Sequence, residues 1–330
     1  YEDGRPIFRY LTLPGLDFLD VRVIGRVCAE NEWFLRSTSF VPHGGSQQDD
    51  EQHNLQHYRL TGSGIISPNS RVLARRLEEV GSENSVAFRD VIQEMPFDAV
   101  NVDLDGRLTT SDTDGPPGLA DALWKIIEKQ TVHCDRSWLL FLTSDMRQES
   151  LDSYLKEECA SYIRQNANDD SSFAEAALRA LGVTDGDIED AIRISRDGNG
   201  ESLMRFVSIG LGKWILHLAR ARGWDVKMRQ SCFYSTTPGQ GEPTMPSLAF
   251  EFLPPSGGHN VAGGLAKFSA GFQSLERENL SERVAKVAGR MIDLDQKLQQ
   301  DPSSRERLRV NTRDLLLEAG YPEELMVNLE

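Results

Sequence analysis

The stretch FDAVNVDLDG, residues 97–106, decides the fold class. Val100 and Val102 form a short β-branched run with strand character, and Asp103 and Asp105 follow where a buried strand would end. In an open α/β sheet, ligands bind beyond the carboxyl ends of the strands, so carboxylates at this position can face a ligand. The alternative is that Asp105 and Gly106 form only a turn after a core strand.

Strands and helices alternate on both sides of this stretch. The fully apolar segment 138–143 is typical of a strand that is covered on both faces. The first predicted helix, residues 16–30, has one apolar face made of Leu16, Leu19, Val23 and Val27. The alternation predicts a doubly wound, mostly parallel α/β sheet. The other elements predicted in this half are strands at 10–13 and 34–41 and helices at 67–80 and 119–130.

The second half of the chain begins with helices. Residues 150–195 and 203–222 are predicted to be helical, and two strands at 226–234 and 247–253 follow. These strands are expected to be antiparallel, because their connection is too short for a crossover helix. We therefore expect the sheet to end in an antiparallel pair.

Two segments are predicted along the chain. Residues 1–255 form the α/β domain, with a helical insertion at about 150–200. Residues 256–330 form a C-terminal extension, with a glycine-rich loop at 257–271 and helices at 276–299 and 304–319.

Composition restricts the partners of the chain. Of the 330 residues, 39% are hydrophobic and 26% charged, as in globular proteins, and the formal net charge is −15. An acidic chain is not drawn to nucleic acid by bulk attraction, so such contact would need a local basic patch or a partner protein. The most basic local patch combines Arg305, Arg307 and Arg309 with Arg71, Arg75 and Arg76.

The cysteines indicate a reducing compartment. Four cysteines are widely spaced without a CxxC pair, which argues against a zinc knuckle. Cys28, Cys134 and Cys232 lie in apolar surroundings, as buried thiols do. The chain starts without a signal-peptide pattern, and the most apolar helical stretch, 203–221, carries four basic residues and is expected to be a core helix. We expect a cytoplasmic protein without a membrane span.

A polar stretch at residues 43–57 predicts a long loop. The spacing of His53 and His57 suits a metal site only on a helix. The surrounding Gln, Asp and Asn residues favour a solvated loop, so no metal site is predicted.

The element order resembles the class I S-adenosylmethionine-dependent methyltransferases, a Rossmann-like family, over roughly residues 8–254. Among these, the chain is similar to the guanine-N2 tRNA methyltransferases at three places. Leu13-Pro14-Gly15-Leu16-Asp17, with Arg22, stands at the turn after the first strand. Val102-Asp103-Leu104-Asp105-Gly106 resembles the motif after the fourth strand, and Leu142-Thr143-Ser144-Asp145-Met146 resembles the run at the fifth.

The resemblance implies a seven-stranded sheet, a cofactor site and a catalytic group. S-adenosylmethionine would contact Leu13, Pro14, Gly15 and Leu16 after the first strand and Val41 at the end of the second. Asp103 or Asp105 would orient an acceptor amino group or take its proton. The alternative role for Asp103 is to cap the next turn.

Two departures from the family pattern stand out. The family has a glycine-rich loop after the first strand, where this chain has only Gly15 beside Pro14. The family also places an acidic residue at the end of the second strand for the ribose hydroxyls, where this chain has Val41 followed by Pro42. These departures predict an altered or inactive cofactor pocket.

Three functions remain open on this basis. The first is a methyltransferase-like protein with a degenerate cofactor site that serves as a scaffold or accessory subunit of a bacterial complex, with a partner or second copy on the C-terminal helices. The chain is also similar to methyltransferase-like proteins of bacterial antiviral defence. The second is an active methyltransferase on a nucleic-acid amino group. The third is a nucleotide-dependent Rossmann-type enzyme of another class, against which the incomplete glycine fingerprint argues.

Overall fold

The computed structural model describes residues 2, 4–41, 47–104, 108–109, 116–151, 153–183, 186–236, 242–255 and 279–324. These residues form one mixed sheet of nine strands with eleven α-helices around it. The α/β class predicted from the alternation of elements is confirmed. Asp105, one of the two predicted catalytic carboxylates, and the glycine-rich segment 257–271 lie outside the described residues.

Five strands form the parallel part of the sheet, in the order β3-β2-β1-β4-β5. The chain runs from β1 outward to β2 and β3 and then returns to the other side of β1 at β4. A topological switch point therefore lies between β1 and β4, where open sheets of this kind bind ligands. The bounds are β1 Ile7–Thr12, β2 Phe34–Val41, β3 Arg71–Ala74, β4 Ala99–Asp103 and β5 Trp138–Thr143.

The remaining strands form the mixed end of the sheet. Strand β8 (Met245–Leu253) pairs antiparallel with β5 on one edge and with β6 (Asp225–Met228) and β7 (Cys232–Tyr234) on the other. The two-residue strand β9 (Ile292–Asp293) pairs parallel with β7. The antiparallel arrangement agrees with the sequence prediction.

The number of strands differs from the seven predicted. The predicted strand 226–234 is interrupted after Met228. There the Ala249 amide donates to the Ser231 hydroxyl, at 3.3 Å, so a side chain replaces a ladder carbonyl. The short β9 strand was not predicted.

Helices cover both faces of the sheet, as a doubly wound fold requires. On one face α1 (Leu19–Glu30) and α2 (Gln47–Gly62) share an apolar cluster with the side chains of Tyr10 and Leu35. On the other face a larger cluster includes Leu11 and residues of seven further helices. Adjacent strand residues point to opposite faces, which places Tyr10 and Leu11 in different clusters. Four of these seven helices are α3 (Val86–Glu94), α4 (Leu119–His133), α5 (Ser153–Asp169) and α8 (Gly200–Arg220).

The segment between β5 and β6 is helical. It contains α5, α6 (Ser171–Ala180) and α7 (Ile188–Asp197) and leads into α8. The C-terminal region holds α9 (Leu280–Ala288), α10 (Leu294–Gln300) and α11 (Pro302–Ala319). Helix α9 packs against α6 and α8, and α11 packs against α1. None of the described helices is both long and apolar enough to cross a bilayer.

Three secondary-structure predictions were wrong. Residues 47–57 belong to helix α2 and not to a loop. Residues 67–80 contain β3 and the start of a 3₁₀ helix, Leu77–Gly81, because the backbone of β3 pairs with β2. The predicted helix 276–299 is divided near Gly289, where the chain enters β9.

Two burial predictions also need correction. Helix α1 buries Val21, Gly25 and Cys28, whereas Val23 and Val27 are exposed, so its core face is not the predicted one. The reason is that Gly25 admits the Ile65 side chain into close contact with α1. Among the cysteines, Cys232 is only half-buried, while the other three are buried.

Candidate ligand-binding site at the switch point

The turn after β1 presents an open stretch of backbone at the carboxyl edge of the sheet. Pro14 is buried and Leu13 half-buried, whereas Gly15 and Leu16 are exposed. A Cβ built at Gly15 meets no described atom within 4 Å. Of the predicted cofactor residues of this turn, Gly15 therefore borders space that no described atom fills.

Phe18 ends this turn in the left-handed region, with φ 53° and ψ 40°. Such a conformation is uncommon for a bulky residue and costs on the order of 1–2 kcal/mol. Its side chain is fully buried, and its ring meets His53 of α2 edge-on at a centroid distance of 6.0 Å. Strained residues cluster at functional sites, so the backbone strain at Phe18 is a second indication that this turn is functional.

Asp20 in the first turn of α1 joins the two strands at the switch point. Its Oδ2 accepts hydrogen bonds from the Tyr10 hydroxyl at 2.9 Å and from the Thr12 hydroxyl at 2.5 Å. The Asn101 amide lies 3.4 Å from the same oxygen. Burial, followed by the Asp20 charge, raises the pKa of Tyr10 well above its usual range, so this hydroxyl stays protonated and donates.

The sequence analysis missed this cluster. The available signal was a polar residue within each of two predicted strands, Thr12 at the end of β1 and Asn101 in the middle of β4, which lie opposite each other in the register.

Asp103 is the last residue of β4 and is exposed at the same edge as the Pro14 turn. It lies opposite Thr143 of β5 in the strand register. Burial, and then the charge of Asp103, raise the pKa of Tyr234 at the end of β7. The other predicted catalytic carboxylate, Asp105, lies outside the described residues.

Val41 ends β2 on the other side of β1 and is buried. Ser37 and Ser39 precede it and face α1, opposite Tyr10 and Thr12 in register. Both serine hydroxyls are buried and find no hydrogen-bond partner within the described ranges. The predicted cofactor residues thus occupy adjacent strand ends, with Val41 and the Pro14 turn on neighbouring strands.

Asp145 follows β5 and is engaged within its own loop. The Arg147 guanidinium donates to it at 2.9 Å and 2.6 Å, and the Ser150 hydroxyl donates at 3.2 Å. Burial opposes ionisation, but the Arg147 hydrogen bonds prevail and lower the pKa of Asp145. This carboxylate therefore orders the loop beside the switch point.

The comparison with protein families gives a clear result. The model of the PP_RS20740-like family matches residues 1–328. The chain belongs to the PP_RS20740-like family. No curated protein matches the sequence.

Among solved structures, the family member is similar to a proposed transferase from Pyrococcus horikoshii. The sequence identity is 6%, the TM-score 0.33, and the match covers 77% of this chain and 60% of the other. This PP_RS20740-like chain therefore spans less than two thirds of that protein.

The C-terminal helix of this PP_RS20740-like protein is anchored next to the β1 turn. The Tyr321 hydroxyl donates to Asp17 at 2.9 Å. The Ala319 carbonyl accepts from the Gln56 amide at 2.8 Å and from Arg59 at 2.6 Å. Arg22, a residue of the sequence motif, is buried and donates to Gln56 at 2.5 Å. Arg22 therefore connects α1 to α2 and, through Gln56, to α11.

The predicted basic patch is balanced by acidic neighbours. Arg71 pairs with Asp90 at 3.0 Å, and Arg76 pairs with Glu78 at 3.5 Å. Arg309 of the predicted run pairs with Glu306 at 2.8 Å. Paired cations attract phosphates less than free ones do, so this patch offers weak support for nucleic-acid binding.

The two histidines of the predicted loop lie on α2, the arrangement that a metal site would need. Burial lowers the pKa of both His53 and His57, and the Nδ1 atom of each is buried. Over the described part of the chain there is no group of three or more His, Cys, Asp or Glu that could hold a metal ion.

Proposed function

We propose that this PP_RS20740-like protein is methyltransferase-like, with a degenerate cofactor crevice between the ends of β1 and β4 that takes S-adenosylmethionine or its demethylated product. The observation behind this proposal is the strand order, because it places the Pro14 turn and Asp103 on the two sides of one switch point. The antiparallel β8 beside β5 is the layout of the methyltransferases that the sequence resembles.

The residues present fit this cofactor in part. The open space at Gly15 suits close approach of a ligand to the backbone. The end of β2 offers Val41, a buried apolar residue, where a carboxylate would bind the ribose hydroxyls. A missing hydrogen bond to a charged group costs about 1.5–3 kcal/mol, so we expect affinity roughly 10- to 100-fold below that of a complete site.

Bound S-adenosylmethionine would supply an electrophilic methyl group. In an active form of the protein, the exposed Asp103 carboxylate would accept a hydrogen bond from an acceptor amine and take its proton. The Pro14 turn would orient the cofactor relative to that amine. Methyl transfer to a nucleic-acid amino group is therefore the second candidate function of the same crevice.

Calorimetric titration with S-adenosylmethionine and S-adenosylhomocysteine tests the proposal. We expect heat of binding for the unaltered chain and at least tenfold weaker binding for Gly15→Val, because the valine would fill the open space. Gly62→Val is the matched control, since Gly62 also borders open space but ends α2. No binding by the unaltered chain, or equal loss in both variants, would contradict the proposal.

A role as an accessory subunit is supported by a separate observation. On α11, Leu308 and Val310 are exposed by 51% and 42% although the helix end is anchored. Light scattering on size-exclusion fractions of the unaltered chain and of Leu308→Glu tests for a homo-oligomer. An oligomer that Leu308→Glu dissociates would support a homo-oligomer through α11, and a strict monomer would exclude one.

A further inference from the structure

A cavity of about 300 Å³ lies between α4, α5 and α8, on the sheet face opposite α1. Four large aromatic residues line it, Trp124, Tyr154, Tyr162 and Trp214. Trp124 and Tyr154 are exposed by 40% and 60%. Aromatic residues grouped at a concave surface are typical of a recognition site, because their exposure in water is unfavourable.

The walls of this cavity are held by close helix packing. Gly210 of α8 lies against Cys159 of α5, so closely that a Cβ at Gly210 would lie 2.7 Å from the Cys159 Cα. At the rim, the Ala120 amide at the start of α4 donates to the Thr109 carbonyl at 2.9 Å. The cavity is therefore formed before any ligand binds, which reduces the cost of binding.

The charge of the cavity is negative. Its lining contains the carboxyl groups of Asp121 and Glu158, and no Lys or Arg belongs to the described lining. Burial, and then the Glu158 charge, raise the pKa of the Tyr162 hydroxyl, in agreement with a negative field there. Burial also raises the pKa of Cys159 to about 12, so this thiol is not a nucleophile at neutral pH.

We propose that this cavity binds a small organic cation with an apolar surface, such as a quaternary or methylated ammonium group. The faces of aromatic rings attract such cations, and a nearby carboxylate strengthens the preference for positive charge. Lys125 already illustrates this attraction, because its ammonium lies 4.9 Å from the Trp124 ring centroid. That ammonium bonds Glu83 and Glu128 and is not part of the cavity lining. The proposal does not depend on the cofactor crevice.

The test compares choline with 3,3-dimethylbutan-1-ol, which has the same shape but a carbon in place of the nitrogen. Binding to the whole chain is followed by tryptophan fluorescence and by saturation-transfer NMR. We expect choline to bind about tenfold more tightly than the uncharged alcohol. An aromatic cavity that only selects apolar groups would instead favour the alcohol or bind both equally.

Two variants localise the binding. Glu158→Gln keeps the shape and should remove most of the preference for choline, whereas Trp214→Leu should weaken both ligands. Trp33→Leu is the control, since Trp33 is exposed and stacks on Phe8 at the start of β1, away from the cavity. Circular dichroism verifies that each variant is folded, and if Trp214→Leu unfolds, Glu158→Gln alone decides.

Three results would overturn the proposal. The first is an absence of choline binding at choline concentrations up to about 10 mM, because the free energy of binding would then be too small for a specific site. The second is equal or tighter binding of the uncharged alcohol. The third is choline binding that is unchanged in folded Glu158→Gln.

Discussion

Thr12 of β1 lies directly opposite Asn101 of β4 in the strand register, and the side chains of both contact the Asp20 carboxylate. These two strands are far apart in the sequence and border the switch point. A single carboxylate in the first turn of α1 thereby joins the helix to both sides of the candidate crevice. The geometry of the candidate crevice therefore depends on the polar cluster of Asp20, Thr12 and Asn101.

Removal of this carboxylate should destabilise the fold. In Asp20→Asn, the amide oxygen can still accept from the Tyr10 and Thr12 hydroxyls, but these hydrogen bonds are weaker because the acceptor is no longer charged. We expect the free energy of unfolding to fall by about 1–3 kcal/mol in chemical denaturation. Glu30→Gln at the exposed end of α1 is the control and should change it by less than about 0.5 kcal/mol. Equal effects of the two substitutions would show that the Asp20 cluster is energetically unimportant.

The close contact of α5 and α8 should not tolerate a methyl group. In Gly210→Ala, the new Cβ would lie 2.5 Å from the Cys159 Sγ and 2.7 Å from its Cα, so the helix backbones must separate. Despite a gain of about 1 kcal/mol in helix propensity, we expect a net loss of about 1–3 kcal/mol in stability. Gly62→Ala at the open end of α2 should be neutral or stabilising. A stabilised Gly210→Ala, measured by the same denaturation, would contradict the close packing.

Two glycine substitutions distinguish the anchoring of α11 by Arg59 from the backbone strain at the end of this helix. Gly320 has φ 94°, and a Cβ there would collide with the Arg59 guanidinium, whose Cζ lies 2.9 Å away. Gly320→Ala should therefore disrupt the hydrogen bond from Arg59 to the Ala319 carbonyl. Gly182→Ala, with φ 77° and open space, has the strain without the collision.

We expect Gly320→Ala to lose about 1 kcal/mol more stability than Gly182→Ala. Faster hydrogen exchange of the α11 amides should accompany this loss, because the helix end is released. If exchange in α11 is the same in both variants, the Arg59 contact does not hold the helix.

Lys213 should make stability depend on pH in the alkaline range. Burial, with a smaller contribution from Arg220, lowers the pKa of this ammonium to about 8, although its Nζ donates to the Ser281 hydroxyl at 2.5 Å. Between pH 8 and about 10.5 the unfolded chain binds more protons here than the folded chain, so this group makes stability rise with pH. Below pH 8 the folded chain bears the full cost of burying the charged ammonium. This cost lowers the free energy of unfolding by an amount on the order of 3 kcal/mol.

Lys213→Met should therefore be more stable than the unaltered chain at pH 7, by about 1–2 kcal/mol after loss of the Ser281 hydrogen bond. This difference should shrink as the pH rises toward 10.5. The comparison between variants is needed because burial raises the pKa of the four thiols, which gives a slope of opposite sign. Lys297→Met on exposed α10 should show no such change with pH, and a pH-independent difference for Lys213→Met would refute the prediction.

The sequence by itself determined the α/β class and most of the sheet. The apolar run 138–142 predicted a strand, and β5 spans residues 138–143. Only one face of β5 is fully buried, with Trp138, Leu140 and Leu142, whereas Leu139 on the other face is exposed. The Pro14 turn after β1 and Asp103 at the end of β4 were likewise predictable, since glycine, proline and aspartate end apolar segments.

Tertiary structure alone decided the rest. Residues 71–74 form a strand because β2 offers backbone partners that no local pattern reveals. The buried face of α1 is set by the contact of Gly25 with Ile65 and not by the most apolar stripe. Asp20, Thr12 and Asn101 meet only when β4 returns beside β1, and the four cavity aromatics meet only when three helices pack together. Such sites join residues distant in sequence, so their chemistry follows from packing that local propensities do not encode.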